Sequence, residues 1–275
     1  MSIVSRPRKL YVIGNGFDKH HGLPCGYADF RAWLQGNRPD VYRELNRLYG
    51  ENDSDLWSDF EHRLACFDLD NYPYDVTRTE LVKLKDGLSE AFGAWVPTIG
   101  VPEKGTAIED IDKSAMFFTF NYTRTLEDFY GIDESRIVHL HGSVDNGGFI
   151  YGHDRSPHDM DDDDMESLRR DLGPDLFADI VHMKMYMEFA DVFRKPVAEI
   201  IEEHKSNFEV LAGIKELIVL GFSYSDIDMA YLERIIEVTG EDIKATFSQH
   251  NIWDVNHALA CSDALGVSET IIMDY

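Results

Sequence analysis

Short runs rich in β-branched and aromatic residues recur along this chain with helical stretches between them, and that alternation constrains its fold more than any other feature. Residues 9–14 (KLYVIG) form an apolar run ending in glycine, the pattern of a buried strand. Similar runs follow at residues 116–120 (MFFTF), 136–141 (RIVHLH), 148–152 (GFIYG), 216–220 (ELIVL), 244–248 and 269–273. The stretches 177–193, 196–204, 228–238 and 253–265 carry the 3.6-residue apolar pattern of helices. Strands alternating with helices imply right-handed crossovers and a mainly parallel sheet, so the expected class is α/β and Rossmann-like.

One long block interrupts the alternation. Val41, Leu45 and Leu48, then Leu56, Phe60 and Leu64, then Leu81, Leu84, Leu88, Phe92 and Trp95 recur at three- and four-residue intervals, and Pro97 and Pro102 close the block. The expectation is one α/β domain over residues 1–275, with a helical insertion at 28–105 after the first strand that caps the strand ends. The stripe of Trp57, Phe60 and Leu64 reads as helix core, with Glu61 beside it.

Composition narrows the function classes. The chain has 26 Lys and Arg against 51 Asp and Glu, a formal net charge of −25. Nucleic-acid affinity comes from basic groups neutralising phosphates, so nucleic acid is excluded as a partner. A hydrophobic fraction of 44% places the chain among proteins that bury a core. No apolar run approaches the roughly 20 residues of a membrane span, and no signal-peptide core is present, so the expected setting is the cytoplasm. Cys25, Cys66 and Cys261 are widely spaced and fit buried thiols in a reducing compartment. The acidic run from Asp159 to Glu166 reads as a solvated loop, and the histidines His139, His141, His153 and His158 lack the spacing of a zinc site.

In parallel α/β sheets ligands bind beyond the carboxyl ends of the strands. The first end carries Gly14, Asn15, Gly16, Phe17 and Asp18, where a Gly-x-Gly turn would bring a ligand close to main-chain amides. Lys19 holds the place of a third glycine, so the string also reads as a plain turn with Asp18 as a helix cap. The second end carries Phe120-Asn121-Tyr122-Thr123, with Asn121 able to donate to and accept from a ribose hydroxyl or a water, or to bond its own turn. The third carries His139-Leu140-His141-Gly142, where alternation sets both imidazoles on one face and His141 at the rim, suited to proton transfer near neutral pH. The fourth is Gly221-Phe222-Ser223-Tyr224-Ser225-Asp226-Ile227-Asp228, and Ser225 in the last place of a would-be GxSxG removes a serine-hydrolase elbow.

With these strings in this order, together with Gly22-Leu23-Pro24 and Trp57-Ser58-Asp59-Phe60-Glu61, the chain resembles the AbiH family, bacterial proteins named for abortive infection by phage. The family in turn is similar to the sirtuin-like fold. That likeness implies an NAD site lined by Gly14, Asn15, Gly16, Phe17 and Asp18, closed by Ser223, Asp226 and Asp228. It implies that Asn121 orients the ribose or an attacking water and that His141 acts as base in cleaving the nicotinamide–ribose bond. Phe17 stands where such motifs carry a small residue, Thr123 where they carry an acid, and the deacylase cysteine module is absent. The resemblance implies a phage-defence protein that takes a nucleotide, NAD foremost, with a phage protein as trigger and homo-oligomerisation left open. The alternative is a non-catalytic sensor of a nucleotide or phage protein that acts through a partner.

Overall fold

The computed structural model describes residues 7–49, 60–64, 77–103, 107–153, 191–224, 226–240, 242–249, 252–267 and 269–274. The chain divides into two compact units. One comprises residues 1–26, 95–149 and 196–275, and the other residues 27–94 and 150–195.

The first unit is built on a six-stranded sheet of β1 (Lys9–Ile13), β2 (Met116–Thr119), β3 (Ile137–His139), β4 (Glu216–Leu220), β5 (Lys244–Gln249) and β6 (Glu269–Asp274). Every neighbouring pair is parallel and the order is β3-β2-β1-β4-β5-β6. This is the α/β, Rossmann-like architecture expected from the alternation. The strand order reverses between β1 and β4, so their carboxyl ends border the crevice where doubly wound sheets take ligands. Leu10, Tyr11, Val12 and Ile13 are all buried, as a central parallel strand covered on both faces requires. On one face Tyr11 stacks on Phe117 with centroids 4.9 Å apart, within a core shared with Ile13, Phe17, Leu126 and Tyr130. Phe118, the next residue along β2, meets Phe208 edge-on.

Around the sheet lie α1 (Asn15–His20), α6 (Val197–Glu203), α7 (Lys205–Glu209), α8 (Asp226–Thr239) and α9 (Ile252–Ala264). The second unit holds α2 (Tyr27–Asn37), α3 (Pro39–Tyr49), α4 (Phe60–Arg63) and nearly all of α5 (Arg78–Trp95). Its apolar stripes converge, with Phe30, Leu34, Leu45, Phe60, Leu64, Leu88 and Phe92 fully buried. Thr77 and Glu80 form a capping box at the start of α5: the Thr77 N–H donates to Glu80 Oε2 at 2.8 Å and the Glu80 N–H to Thr77 Oγ1 at 3.3 Å. Trp57 lies outside the described residues.

Two local expectations are corrected, and one element takes an uncommon form. Residues 148–152 are not a strand: Gly147 and Gly148 both adopt left-handed φ (66° and 65°), and Ser143 and Gly147 bond each other's main chain in a tight turn. The third strand ends at His139 instead of running to His141. The segment Thr125–Phe129 is helical, but as a π-helix, a form enriched at functional sites. Of the helix expected at 177–193, residues 177–190 lie outside the described residues, as do the acidic run, His158 and Cys66.

Candidate functional site

The turn after β1 and the turn after β4 meet main chain to main chain. The Gly14 N–H donates to the Leu220 carbonyl at 2.9 Å, and the Gly16 N–H to the Gly221 carbonyl at 2.8 Å. A Cβ on Gly14 would lie 2.5 Å from the Gly221 oxygen, and one on Gly16 would lie 2.7 Å from Gly221 Cα. Gly221 itself has φ 63°, and a side chain there would strike the Phe17 amide nitrogen. Packing of turn on turn thus accounts for these glycines without a ligand. The β4 turn is fixed further by β5, because Ser248 Oγ accepts the Gly221 N–H at 2.9 Å and the Ser248 carbonyl accepts the Tyr224 hydroxyl at 2.7 Å. Tyr224 holds φ 52°, a conformation L-residues adopt at some strain, in this same turn.

A buried polar cluster sits at the end of β2. Asp18, 1% exposed, accepts the Thr123 hydroxyl at 2.5 Å and the Thr125 hydroxyl at 2.7 Å. Burial pushes the Asp18 carboxyl above the usual carboxylate range, against the lowering effect of Thr123, Thr125, the Asn121 amide and His139. The Asn121 side chain thus lies beside Asp18, yet neither its Nδ2 nor its Oδ1 makes a hydrogen bond of acceptable geometry, although the residue is only 7% exposed. His139 spans from the Asn121 carbonyl (Nδ1, 3.0 Å) to Glu127 Oε1 (Nε2, 3.0 Å), while the second oxygen of Glu127 is buried without a partner.

His141, 3% exposed, lies two residues past β3, in the turn made by Gly142 at φ 84°. Its Nε2 is 3.2 Å from the Tyr231 hydroxyl and 3.8 Å from Asp228 Oδ1, and its ring meets Phe120 edge-on. With β3 ending at His139, the alternation does not carry to His141, and the two imidazoles engage separate partner sets.

A further histidine network stands in the core. His21 Nδ1 lies 2.6 Å from the Phe17 carbonyl, which can only accept, so that nitrogen carries the proton. Nε2 then accepts the Tyr130 hydroxyl at 2.7 Å, and the Tyr130 oxygen accepts the Ile108 N–H at 2.9 Å. Burial lowers the His21 pKa and raises that of Tyr130.

The family model described as bacteriophage abortive infection AbiH matches residues 10–80 and 70–249. The chain belongs to that family. Membership ties it to abortive infection of phage-infected cells. Searches of curated proteins and of solved structures returned no match.

In this AbiH chain the motif residues fall into three places. Gly14, Gly16 and Gly221 form the turn-on-turn contact at the strand-order reversal, and Asp18 with Asn121 belongs to the polar cluster. His141 with Asp228 lies against Tyr231. Asn15 ties its own loop, with Nδ2 donating to the Cys25 carbonyl at 3.2 Å. The Phe17 ring is fully buried in the core, so any contact it makes with a nucleotide runs through its main chain. Ser223 and Asp226 are exposed, and Asp226 opens α8. The short α1 places its first turn against β4, with the Gly16 amide already engaged.

Sequence reasoning passed over Thr125, Glu127, Tyr231 and Ser248. Glu127 follows Asn121 by six residues in a string that reads as an ordinary amphipathic helix, and nothing in the string marks its carboxylate as buried. A cleft of about 610 Å³, lined by Lys215, Glu233, Glu237, Asp242 and Leu265 among others, opens at the amino ends of β4 and β5, the opposite end of the sheet from the motifs. Among the described residues no group of three or more His, Cys, Asp and Glu is arranged to hold a metal, and no helix is long and apolar enough to cross a membrane.

Proposed function

We propose that this AbiH-family chain acts in phage defence by binding a nucleotide, NAD foremost, at the carboxyl ends of β1, β2 and β4, and by hydrolysing it at the nicotinamide–ribose bond. The observation that carries this reading is Asn121. This buried primary amide meets the Asp18 carboxylate only loosely, with no hydrogen bond of good geometry at either polar atom; an unmet polar group costs about 1–3 kcal/mol, and the amide sits beside the crevice that this strand order creates. A ribose hydroxyl, which donates and accepts, meets both needs of one amide.

NAD supplies a labile glycosidic bond whose leaving group departs as neutral nicotinamide. The chain's own part is to orient and to move a proton. Asn121 holds the ribose or the attacking water, and His141 Nε2 takes the proton, steadied by the Tyr231 hydroxyl and by Asp228. On this reading the phosphates lie toward the main chain near the β1 and β4 turns. Incubation of the purified protein with NAD, alone and with phage lysate, and chromatography for nicotinamide test this. Release that His141→Ala abolishes supports it, and no release together with no NAD binding contradicts it.

A second reading, a nucleotide sensor without catalysis, draws on the same histidine. His141 is 3% exposed and already bonded to Tyr231, as a structural imidazole would be. Phage protection that survives His141→Ala, at unchanged expression and melting temperature, selects the sensor.

A further inference from the structure

The sheet of the first unit is covered on one face and open on half of the other. Alternation along each strand sorts its residues between the faces. Leu217 and Val219 of β4 share one face with Ala245 and Phe247 of β5, and all four are fully buried. α9 packs on that face, with Ser262 Oγ bonded to Thr270 Oγ1 of β6. On the opposite face Tyr11 and Phe117 are buried against Ile108 and Ile111, which covers the β1 and β2 half. Among the described residues the β4 to β6 half is not closed in the same way. Ile218 and Thr246 are half-buried, Ile271 is 39% exposed, and Met273 only borders the Tyr11 core. Parallel sheets are found with both faces covered, so this open half-face calls for a second layer.

The charges beside the patch decide which layer fits. Lys9, Glu216, Lys244 and Glu269 stand in register across β1, β4, β5 and β6 on this same face, two residues toward the amino ends from Tyr11, Ile218, Thr246 and Ile271. Their signs alternate, and within the chain Lys9 pairs with Glu216 at 3.3 Å and Lys244 with Glu269 at 3.0 Å. A row of this kind is its own complement when turned about an axis that runs along the strands between β4 and β5. Glu216 then faces the second copy's Lys244, and Lys9 faces the second copy's Glu269. The same turn sets Ile218 against the second copy's Thr246.

We propose that the open half-face of β4, β5 and β6 is the contact surface for a second copy of this chain, with the two sheets packed face to face about that two-fold axis. Such a contact uses the same patch on both copies and closes at a dimer. The strands of the two sheets then run within about 30° of each other. Because the axis follows the strands, both sets of carboxyl ends point the same way, and the two candidate sites lie at one end of the dimer. The contact surface does not depend on the nucleotide reading.

Sedimentation velocity of the full chain over a range of concentrations tests this. The wild type should dimerise reversibly. Ile271→Asp, at an exposed position of the edge strand, and Lys244→Glu, which sets a carboxylate against the second copy's Glu216, should each raise the dimer dissociation constant about tenfold or more, with folding confirmed by melting temperature. Glu216→Lys combined with Lys244→Glu rebuilds the opposition of charge between copies and should restore wild-type association. A wild type that stays monomeric at its highest soluble concentration overturns the proposal. A dimer that both single variants leave intact also overturns it, since that dimer forms elsewhere. Weakening by the single changes that the double exchange does not restore overturns the two-fold pairing, and with it the second copy as the missing layer.

Discussion

Each unit of the chain buries a carboxylate cluster, and the two are finished to different degrees. In the helical unit both oxygens of Glu61 are engaged, one by the Tyr27 hydroxyl at 2.5 Å and the other by Lys195 Nζ at 2.9 Å. The Lys195 side chain is fully buried, and its charge is matched. At the end of β2 the same kinds of group are left short: the polar atoms of Asn121 and one oxygen of Glu127 lack a hydrogen bond of good geometry, and among the described residues Glu127 meets His139 but no lysine or arginine. A closed ion pair is part of a fold; an open one is a place where the fold awaits something else. The comparison therefore gives Glu61 a structural role and leaves the β2 end as the place where the proposed ligand would act.

The largest expected effect tests the closed cluster. Lys195→Ala leaves the partly buried Glu61 carboxylate with its cation gone and should destabilise by about 3 kcal/mol in denaturant unfolding, while the double change Lys195→Met with Glu61→Leu should recover most of that. A loss below about 1 kcal/mol from the single change would erase the contrast between the clusters. Next, Thr123→Val removes a hydroxyl that a buried carboxylate depends on. The expected loss is about 1–3 kcal/mol.

Smaller effects appear in the pH dependence of stability. Asp18 has a folded-state pKa raised above its ordinary 3.8. Between those two values the folded chain holds a proton that the unfolded chain has released, so this contribution is full below 3.8 and fades as the pH climbs through the folded value. Asp18→Asn should remove that decline, which is at most about 1.4 kcal/mol per pH unit. His21 runs the other way. Its pKa is lowered from 6.5, so its contribution is full above 6.5 and is lost as the pH falls toward the folded value; His21→Asn should flatten that acid limb. Urea unfolding at a series of pH values reads both.

The strand runs made the α/β class legible, because the apolar character of β1 and β4 needs no tertiary information. The run at 148–152 misled for a local reason: aromatic and β-branched residues look like strand, but the glycine pair before them turns the chain back. Asn121 and His141 were legible as residues at strand ends, whereas their surroundings were not. Glu127 is brought to His139 by a π-helix that ordinary helical periodicity cannot foresee. Thr123, which stands where sirtuin-like motifs carry an acid, bonds the carboxylate of Asp18, 105 residues away in sequence.

The central claim is that the Asn121 amide is under-satisfied in the free chain and is satisfied by a nucleotide. Thermal melting of the wild type and of Asn121→Leu, each with and without NAD, addresses both halves at once. With no ligand, the leucine variant should melt at or above the wild type, because it discards a buried amide whose contact with Asp18 falls short of hydrogen-bond geometry and fills the same volume. NAD should raise the melting temperature of the wild type and leave the variant unmoved. A variant that melts several degrees lower without ligand, and that responds to NAD as the wild type does, would contradict the account.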